Sequence, residues 1–177
     1  MLDLDLSSLF AAKTATVADP TVRILTVCTG NICRSPLAEQ LLAARLADFD
    51  VAVASAGTQG LVDRPMTPDA ARLAAELGIP SPDSAAHRAR WLNESHLDGV
   101  DLVLAMSREH RTAAVELAPA RTRAAFTARE FARLARGVDD DAIRACADAV
   151  GADPHARVAA VLALLGQRRG EVPLPAD

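Results

Sequence analysis

One short segment, residues 28–35, carries the residue types that can do chemistry in this chain. Cys28 and Arg34 lie six positions apart in the sequence Cys-Thr-Gly-Asn-Ile-Cys-Arg-Ser. The segment follows residues 22–27, which are short, apolar and β-branched, as is typical of a buried parallel strand. It precedes residues 36–46, where a proline suits the first helical turn and leucines recur at helical spacing. The segment is therefore predicted to be a tight loop between a strand and a helix.

A loop in this position is suited to bind an oxyanion, because backbone N–H groups and the macrodipole converge at a helix N-terminus. Gly30 and Asn31 are expected to allow the positive φ angles that curl such a loop. Ser35 is the expected N-cap of the helix, and Glu39 is expected to complement its positive end. Arg34 can grip two phosphate oxygens through its guanidinium group. The residues predicted to bind phosphate are Cys28, Thr29, Gly30, Asn31, Ile32, Cys33, Arg34 and Ser35.

Cys28 lies at the base of this ring of donors, where the same field stabilises a thiolate, the nucleophilic form of cysteine. The ordinary alternative is that Cys28 is a small core hydrophobe and Arg34 a solvated side chain. The combination of cysteine, five residues and Arg-Ser between a strand and a helix is much less common than either feature alone. We therefore expect Cys28 to attack phosphorus in a phosphate group that the loop holds.

Strands and helices alternate along the rest of the chain. Further strands are predicted over residues 51–56, 100–105 and 124–127, and helices over residues 67–77, 93–97, 108–117, 128–135, 140–149 and 153–166. This alternation indicates an α/β fold with a four-stranded parallel sheet and helices on both faces, in three layers. We interpret residues 1–20 as an N-terminal extension and residues 21–177 as one domain.

The composition excludes several classes of function. The 177 residues are 50% hydrophobic and 24% charged, with 19 Lys and Arg against 23 Asp and Glu, a formal net charge of -4. This acidic balance, with 3% aromatic residues, argues against a nucleic-acid partner. No apolar run is long enough to span a membrane and no signal peptide is evident, so we expect a cytoplasmic protein without a membrane partner. The three cysteines form no metal-ligand spacing, and no metal or cofactor is expected.

Residues 27–39 resemble the sequence motif of low-molecular-weight protein tyrosine phosphatases. Ser55-Ala56-Gly57-Thr58, residues 66–77, His87-Arg88-Ala89-Arg90 and residues 101–106 resemble later segments of the same family. The resemblance implies that Cys28 is the nucleophile, that Arg34 binds phosphate and the transition state, and that Ser35 hydrogen-bonds the thiolate. It also implies that Asn31, Ser55 and His87 hold the loop in shape. The implied reaction proceeds through a cysteinyl phosphate.

The resemblance further implies the partners. The substrate would be a phosphotyrosine protein or a small phosphate ester, and inorganic phosphate would be the product and an inhibitor. Family members often place aromatic side chains beside the substrate, whereas the matching regions here offer Gln59, Gly60, Leu61 and His155, with Ile32 remaining in the loop. The preference for tyrosine over other phosphate esters is therefore left open, as are the oligomeric state and the role of residues 1–20.

The general acid is the part of the family pattern that this sequence matches least well. The family carries it as Asp in an Asp-Pro-aromatic segment, and the downstream Asp-Pro here is Asp153-Pro154-His155. Asp153 is either the acid or the N-cap of a helix that begins at Pro154. Residues 166–177 are interpreted as an exposed loop. The alternative is that the acid lies at Asp177, or beyond it in a longer natural protein.

Cys33 lies in the same loop as Cys28, and the resemblance implies a reversible disulfide between them that protects the nucleophile from over-oxidation. Two other functions compete with an active phosphatase. An arsenate reductase would need further cysteines to relay a disulfide, and residues 87–110 contain none. A phosphoprotein-binding regulatory module would keep the loop and lack a positioned acid.

Overall fold

Four parallel strands form a single sheet in the computed structural model, which describes residues 21–171. They are β1 (Val22–Cys28), β2 (Val51–Gly57), β3 (Leu102–Ala105) and β4 (Ala125–Thr127), in the order β2-β1-β3-β4. In the pairing register Cys28 faces Gly57, and Val27 faces Ala105. The carboxyl ends of the three strands β2, β1 and β3 therefore meet at one edge of the sheet, directly before the loop that begins at Cys28.

Helices connect and cover the strands. The α-helices are α1 (Arg34–Arg45), α2 (Pro68–Glu76), α3 (Ser81–Ala86), α4 (Arg108–Leu117), α5 (Ala128–Ala135), α6 (Asp140–Asp148) and α7 (Pro154–Gln167). Short 3-10 turns occupy Glu94–His96, Pro119–Ala124 and Arg168–Gly170. Three of these elements, α3 and the turns Pro119–Ala124 and Arg168–Gly170, are absent from the sequence prediction, because elements of three to six residues leave too little periodicity to detect.

The strands divide the core into two faces because their side chains alternate. Val103 of β3 packs with Leu25, Val27 and Ala114, the last of these from α4, on one face. Leu102 and Leu104 point to the other face, where they pack with residues of β4, α5 and α7, namely Phe126, Leu134, Leu162 and Leu165. The prediction of an α/β fold with a four-stranded parallel sheet and helices on both faces is confirmed.

Three local predictions are wrong. Helix α1 begins at Arg34 with Cys33 at its N-cap position, so Ser35 lies inside the first turn and its side chain caps nothing. Glu39 lies beyond that first turn, which contains no acidic residue. Helix α7 continues to Gln167 and a 3-10 turn follows over Arg168–Gly170, so residues 166–170 of the expected loop are helical. The first two differences share a cause, since both side chains are hydrogen-bonded within the loop network described below.

The predictions for residues 1–20 and for Asp177 lie outside the described residues. Within residues 21–171, no helix combines the length and the apolar character needed to cross a membrane.

Candidate active site

The predicted phosphate loop joins strand β1 to helix α1. Cys28 is the last residue of β1 and Arg34 the first residue of α1, with five residues between them. Asn31 has a φ of 53°, a left-handed conformation that asparagine tolerates better than most residues. Gly30 does not have a positive φ, so the prediction that it supplies one is wrong. A single asparagine is enough to reverse the chain within this loop.

Cys28 is 2% exposed, and its Sγ lies 2.9 Å from Ser35 Oγ. Asn31 Nδ2 donates a hydrogen bond to the same Ser35 Oγ at 2.9 Å. Because the amide nitrogen is only a donor, the serine oxygen accepts from Asn31 and keeps its own proton for an acceptor. The two acceptors in reach are Cys28 Sγ at 2.9 Å and, farther away, the Ala56 carbonyl oxygen at 3.4 Å. Ser35 thus brings a hydrogen-bond donor to the sulfur of Cys28.

A buried chain of hydrogen bonds continues from Asn31 to the far side of the loop. Asn31 Nδ2 also donates to Ser55 Oγ at 2.7 Å, and Ser55 Oγ donates to a carboxylate oxygen of Glu39. Arg90 lies across from the other oxygen of Glu39 at 3.6 Å. Ser55 ends up fully buried, as do Asn31 and Ser35. Glu39 thus anchors the hydrogen-bond chain instead of complementing the helix terminus.

The backbone of Asn31 is held as firmly as its side chain. His87 Nε2 donates to the Asn31 carbonyl oxygen at 2.7 Å, since a carbonyl can only accept. The Arg90 N–H donates to Asn31 Oδ1 at 2.8 Å. Gly57 allows the loop to approach β2 closely, because a Cβ there would collide with the Thr29 carbonyl oxygen and lie 2.9 Å from Asn31 N. Residues from three separate stretches of the chain, at position 35, at 55–57 and at 87–90, therefore fix one left-handed residue.

The rim of the loop is formed by Arg34, Ile32 and Cys33. Arg34 and Cys33 are exposed and Ile32 is half-buried. Arg34 Nη2 donates to Thr29 Oγ1 at 3.3 Å, which holds its guanidinium on the side of the loop that faces α4. The Leu61 side chain lies close to Gly30, and the Leu61 N–H donates to the Gly30 carbonyl at 3.0 Å. Arginine, isoleucine and leucine side chains thus surround the mouth above Cys28.

Asp153, which the sequence offers either as the general acid or as a helix N-cap, lies at the opposite edge of the sheet. It is the N-cap of α7, and its carboxylate accepts from His155 N and Ala156 N at 3.3 Å. The neighbouring His155 hydrogen-bonds Asp101, which in turn accepts from the Arg23 N–H. Arg23 precedes Cys28 by five strand residues, a separation of about 16 Å. Asp153 caps a helix and does not reach the loop.

Two residues at the carboxyl edge of the sheet, Glu39 and His110, were not predicted from the sequence to support the loop. His110 of α4 is 6% exposed, and its Nε2 lies 2.9 Å from Thr29 Oγ1. Burial and the nearby Arg34 guanidinium lower the pKa of His110, against a smaller opposing effect of Glu109. The available signal was position, because His110 lies in the first turn of the helix that follows β3, at the same sheet edge as the loop. Without the fold, nothing in the sequence distinguishes this histidine from an ordinary core or surface histidine.

No group of three or more His, Cys, Asp or Glu side chains within residues 21–171 is arranged to hold a metal ion. The polar groups that converge on the mouth of the loop are instead the Arg34 guanidinium and the amides of the loop and the start of α1. Such a set suits a tetrahedral oxyanion.

Comparisons with known proteins agree with this geometry. Residues 23–145 match the family model "Low molecular weight phosphotyrosine protein phosphatase". The chain is 45% identical over 96 residues to the low molecular weight protein-tyrosine-phosphatase Etp of Escherichia coli (strain K12), a match that covers 54% of this chain and 62% of that protein. It is 38% identical over 119 residues to a protein-arginine-phosphatase of Geobacillus stearothermophilus, covering 67% of this chain and 75% of that protein.

The fold is also similar to that of solved structures. A low molecular weight protein tyrosine phosphatase from T. tengcongensis aligns with a TM-score of 0.58 and 34% identity, covering 85% of this chain and 99% of that one. The matched segment contains Cys28, Arg34 and all the residues that hold the loop. The chain therefore belongs to the low molecular weight phosphotyrosine protein phosphatase family.

Proposed function

We propose that this chain hydrolyses phosphate monoesters of the phosphotyrosine type through a cysteinyl-phosphate intermediate. The observation that carries the proposal is the contact of 2.9 Å between Cys28 Sγ and Ser35 Oγ, which is shorter than the contact of 3.4 Å from the same hydroxyl to the Ala56 carbonyl oxygen. A thiolate that accepts this hydrogen bond, at the base of a loop that offers amides and Arg34, combines a nucleophile with an anion site.

The proposed reaction has two steps. In the first, the Cys28 thiolate attacks phosphorus in line, the phosphorus–oxygen bond breaks, and the leaving phenolate takes a proton from a carboxylic acid. In the second, the same carboxylate takes a proton from water, the water oxygen attacks phosphorus, the phosphorus–sulfur bond breaks, and the thiolate is released together with inorganic phosphate. Arg34 and the loop amides stabilise the equatorial oxygens in both steps. No metal ion or cofactor takes part in this scheme.

The source of the leaving-group proton is separate from Asp153, which caps α7 at the far edge of the sheet. Asp177, the other candidate from the sequence, lies outside the described residues and is tested directly by Asp177→Asn. If Asp177 is the acid, the variant loses about 10²- to 10⁴-fold on phosphotyrosine and much less on p-nitrophenyl phosphate, whose leaving group needs little protonation.

The apolar residues at the mouth favour an aromatic substrate. Ile32 is half-buried and Leu61 is half-exposed beside Gly30, so both offer apolar surface to a phenyl ring. A phosphoarginine substrate is the alternative that the similarity to a protein-arginine-phosphatase raises. A guanidinium group would be recognised best by an acidic side chain. Apolar residues beside Arg34 therefore favour phosphotyrosine over phosphoarginine.

Cys33 is proposed to protect the nucleophile. Peroxide oxidises the Cys28 thiolate to a sulfenic acid, and the Cys33 thiol then attacks that sulfur, releasing water and forming a disulfide. An added thiol reduces the disulfide and restores Cys28. Peroxide-treated protein should show a Cys28–Cys33 crosslink by mass spectrometry and regain activity with dithiothreitol, whereas Cys33→Ser should be inactivated irreversibly. Irreversible loss in the wild-type protein would contradict this role.

The central experiment compares hydrolysis of phosphotyrosine, phosphoarginine and p-nitrophenyl phosphate by the wild-type chain and by Cys28→Ser. The wild-type chain should release phosphate from both aryl esters and trap 32P on Cys28 after acid quench. Cys28→Ser should lose at least about 10⁴-fold in turnover while it still binds inorganic phosphate. Turnover that survives in Cys28→Ser would rule out the cysteinyl-phosphate mechanism.

A phosphate-binding regulatory module is the second candidate, and the position of Asp153 favours it, because the described residues then contain no acid from the expected motif. The two functions separate on the poorer leaving group. A binding module should hold inorganic phosphate and phosphotyrosine peptides with little hydrolysis of either ester, whereas a phosphatase should turn over both.

A further inference from the structure

We propose that His110 is a positioning residue, which holds Arg34 through the Thr29 hydroxyl in the orientation that grips phosphate. The inference rests on the proposed phosphate site, and it concerns a residue outside the loop. Arg34 is exposed, and its Nη2 donates a hydrogen bond to Thr29 Oγ1 at 3.3 Å. Thr29 Oγ1 in turn lies 2.9 Å from His110 Nε2.

The contacts beyond His110 hold its ring from the other side. His110 Nδ1 lies 3.0 Å from Ser107 Oγ. Ser107 is the N-cap of α4, and its Oγ accepts from the His110 N–H at 3.4 Å. A neutral imidazole has one donor and one acceptor nitrogen, and a hydroxyl group can complement either of them. Both ring nitrogens of His110 are therefore held by hydroxyl groups, Ser107 at the start of α4 and Thr29 in the loop.

Thr29 Oγ1 thus contacts His110 Nε2 and also accepts from Arg34 Nη2. These contacts form one chain that runs from Arg34 through Thr29 and His110 to Ser107. The charged groups that face His110 are Arg34 from α1 and Glu109 from α4. Burial and the Arg34 guanidinium lower the pKa of His110, which favours its neutral ring.

This chain has a consequence for Arg34. An exposed arginine loses much rotamer freedom when it is fixed against a ligand, and a hydroxyl that is itself fixed by a buried histidine reduces that loss on binding. Without the contact to His110, the Thr29 side chain could adopt another χ1 rotamer, and its oxygen would leave the position in which it accepts from Arg34. The histidine therefore contributes to phosphate affinity without touching phosphate.

The test measures the affinity of inorganic phosphate by calorimetry, together with KM and kcat for p-nitrophenyl phosphate. His110→Phe keeps a ring and removes both ring nitrogens, and it should weaken phosphate binding about 3- to 10-fold. His110→Gln places an amide group, which can donate or accept, near the position of Nε2 and should restore the affinity to within about twofold of the wild-type value. Unchanged phosphate affinity in His110→Phe would overturn the proposal.

A second variant protects the test against misfolding of the first. Thr29→Val is nearly isosteric, removes the hydroxyl, and should weaken phosphate binding to the same extent as His110→Phe. The double variant should show no further loss, because both substitutions break one chain. Losses that simply add would show that His110 and Thr29 act independently, which contradicts the proposed linkage.

His155→Phe is the matched control, since His155 hydrogen-bonds a carboxylate at the opposite edge of the sheet. It should leave phosphate affinity unchanged, and an equal loss there would make the His110 effect a general one and overturn the proposal. The outcomes also separate the two proposals. A wild-type chain that binds phosphate without hydrolysing esters fails the proposed function alone, and the binding series still decides the role of His110. A wild-type chain that binds no phosphate overturns both.

Discussion

The two edges of the sheet carry polar networks of opposite character. At the carboxyl edge, the side chains of Asn31, Ser35 and Ser55 are fully buried and bonded to one another. At the amino edge, Asp101 and His155 remain partly exposed, with side chains 14% and 34% accessible. The buried network holds a loop in a conformation that it would not adopt alone, whereas the exposed network ties the ends of β1, β3 and α7 together.

This difference indicates where substitutions of polar residues are tolerated. A buried polar group costs about 1–3 kcal/mol when it loses its partner, whereas an exposed one recovers its hydrogen bond from water. Within residues 21–171, every buried side-chain nitrogen or oxygen has a hydrogen-bond partner. Each loss at the carboxyl edge therefore leaves an unsatisfied group, and the following predictions use that contrast.

The largest effect is expected for Asn31→Ala. It removes three side-chain hydrogen bonds, strands the Arg90 N–H and puts alanine at a φ of 53°. The free energy of unfolding should fall by about 3 kcal/mol, as measured by urea denaturation. Asn93→Ala is the control, because that asparagine caps an exposed 3-10 turn. It should lose no more than about 1 kcal/mol. Equal losses of unfolding free energy in the two variants would contradict the expected difference between buried and exposed polar groups.

A somewhat smaller effect is expected for Gly57→Ala. The added methyl group would collide with the Thr29 carbonyl, so either β2 or the loop must shift, at a cost of about 2 kcal/mol. Gly30→Ala is the matched control within the loop. Its φ is not positive, and its nearest neighbour, Ile32 Cγ1, would lie 3.5 Å from the new methyl group. In thermal unfolding, the melting temperature of Gly57→Ala should be well below that of Gly30→Ala. The reverse order would contradict the close approach of the loop to β2.

Asp153→Ala tests the amino edge. It removes the N-cap of α7 and should lower the free energy of unfolding by about 1 kcal/mol. Turnover of phosphotyrosine per folded molecule should not change, because Asp153 lies at the far edge of the sheet. The same variant therefore checks stability and activity. A selective loss on phosphotyrosine, with p-nitrophenyl phosphate turnover retained, would restore Asp153 as the general acid.

The smallest effect concerns pH. Burial lowers the pKa of both His110 and His96 below 6.5 in the folded chain. Between the lowered value and 6.5 the unfolded chain binds more protons, so the free energy of unfolding rises with pH through this window and is reduced below it. Urea denaturation at pH 5.5 and 7.5 should show the difference. His110→Gln lacks this titration, and a pH dependence equal to that of the wild-type chain would contradict the lowered pKa.

The loop and the sheet were predictable from sequence because their signals are local. A β-branched strand, a loop of fixed length and a helix with leucines at helical spacing follow one another between Val22 and Arg45, and both periodicity and capping act over a few residues. The pair Asp153-Pro154 could also be interpreted as the start of a helix, although the same two residues matched the general-acid motif of the family. Local chemistry at that point allowed both interpretations, and only the sheet edge on which the residue lies could separate them.

What the sequence determined by itself was therefore the order of elements, the parallel α/β fold and the pairing of Cys28 with Arg34 in one loop. The family resemblance implied that Ser55 and His87 support that loop, whereas the tertiary structure alone brought Glu39 and His110 to it. These four residues come from separate elements, and they converge because parallel strands end at one edge. Hydrogen bonds between residues up to 81 positions apart leave no local pattern, since each depends on the register of the sheet and not on the neighbours of the residue in the chain.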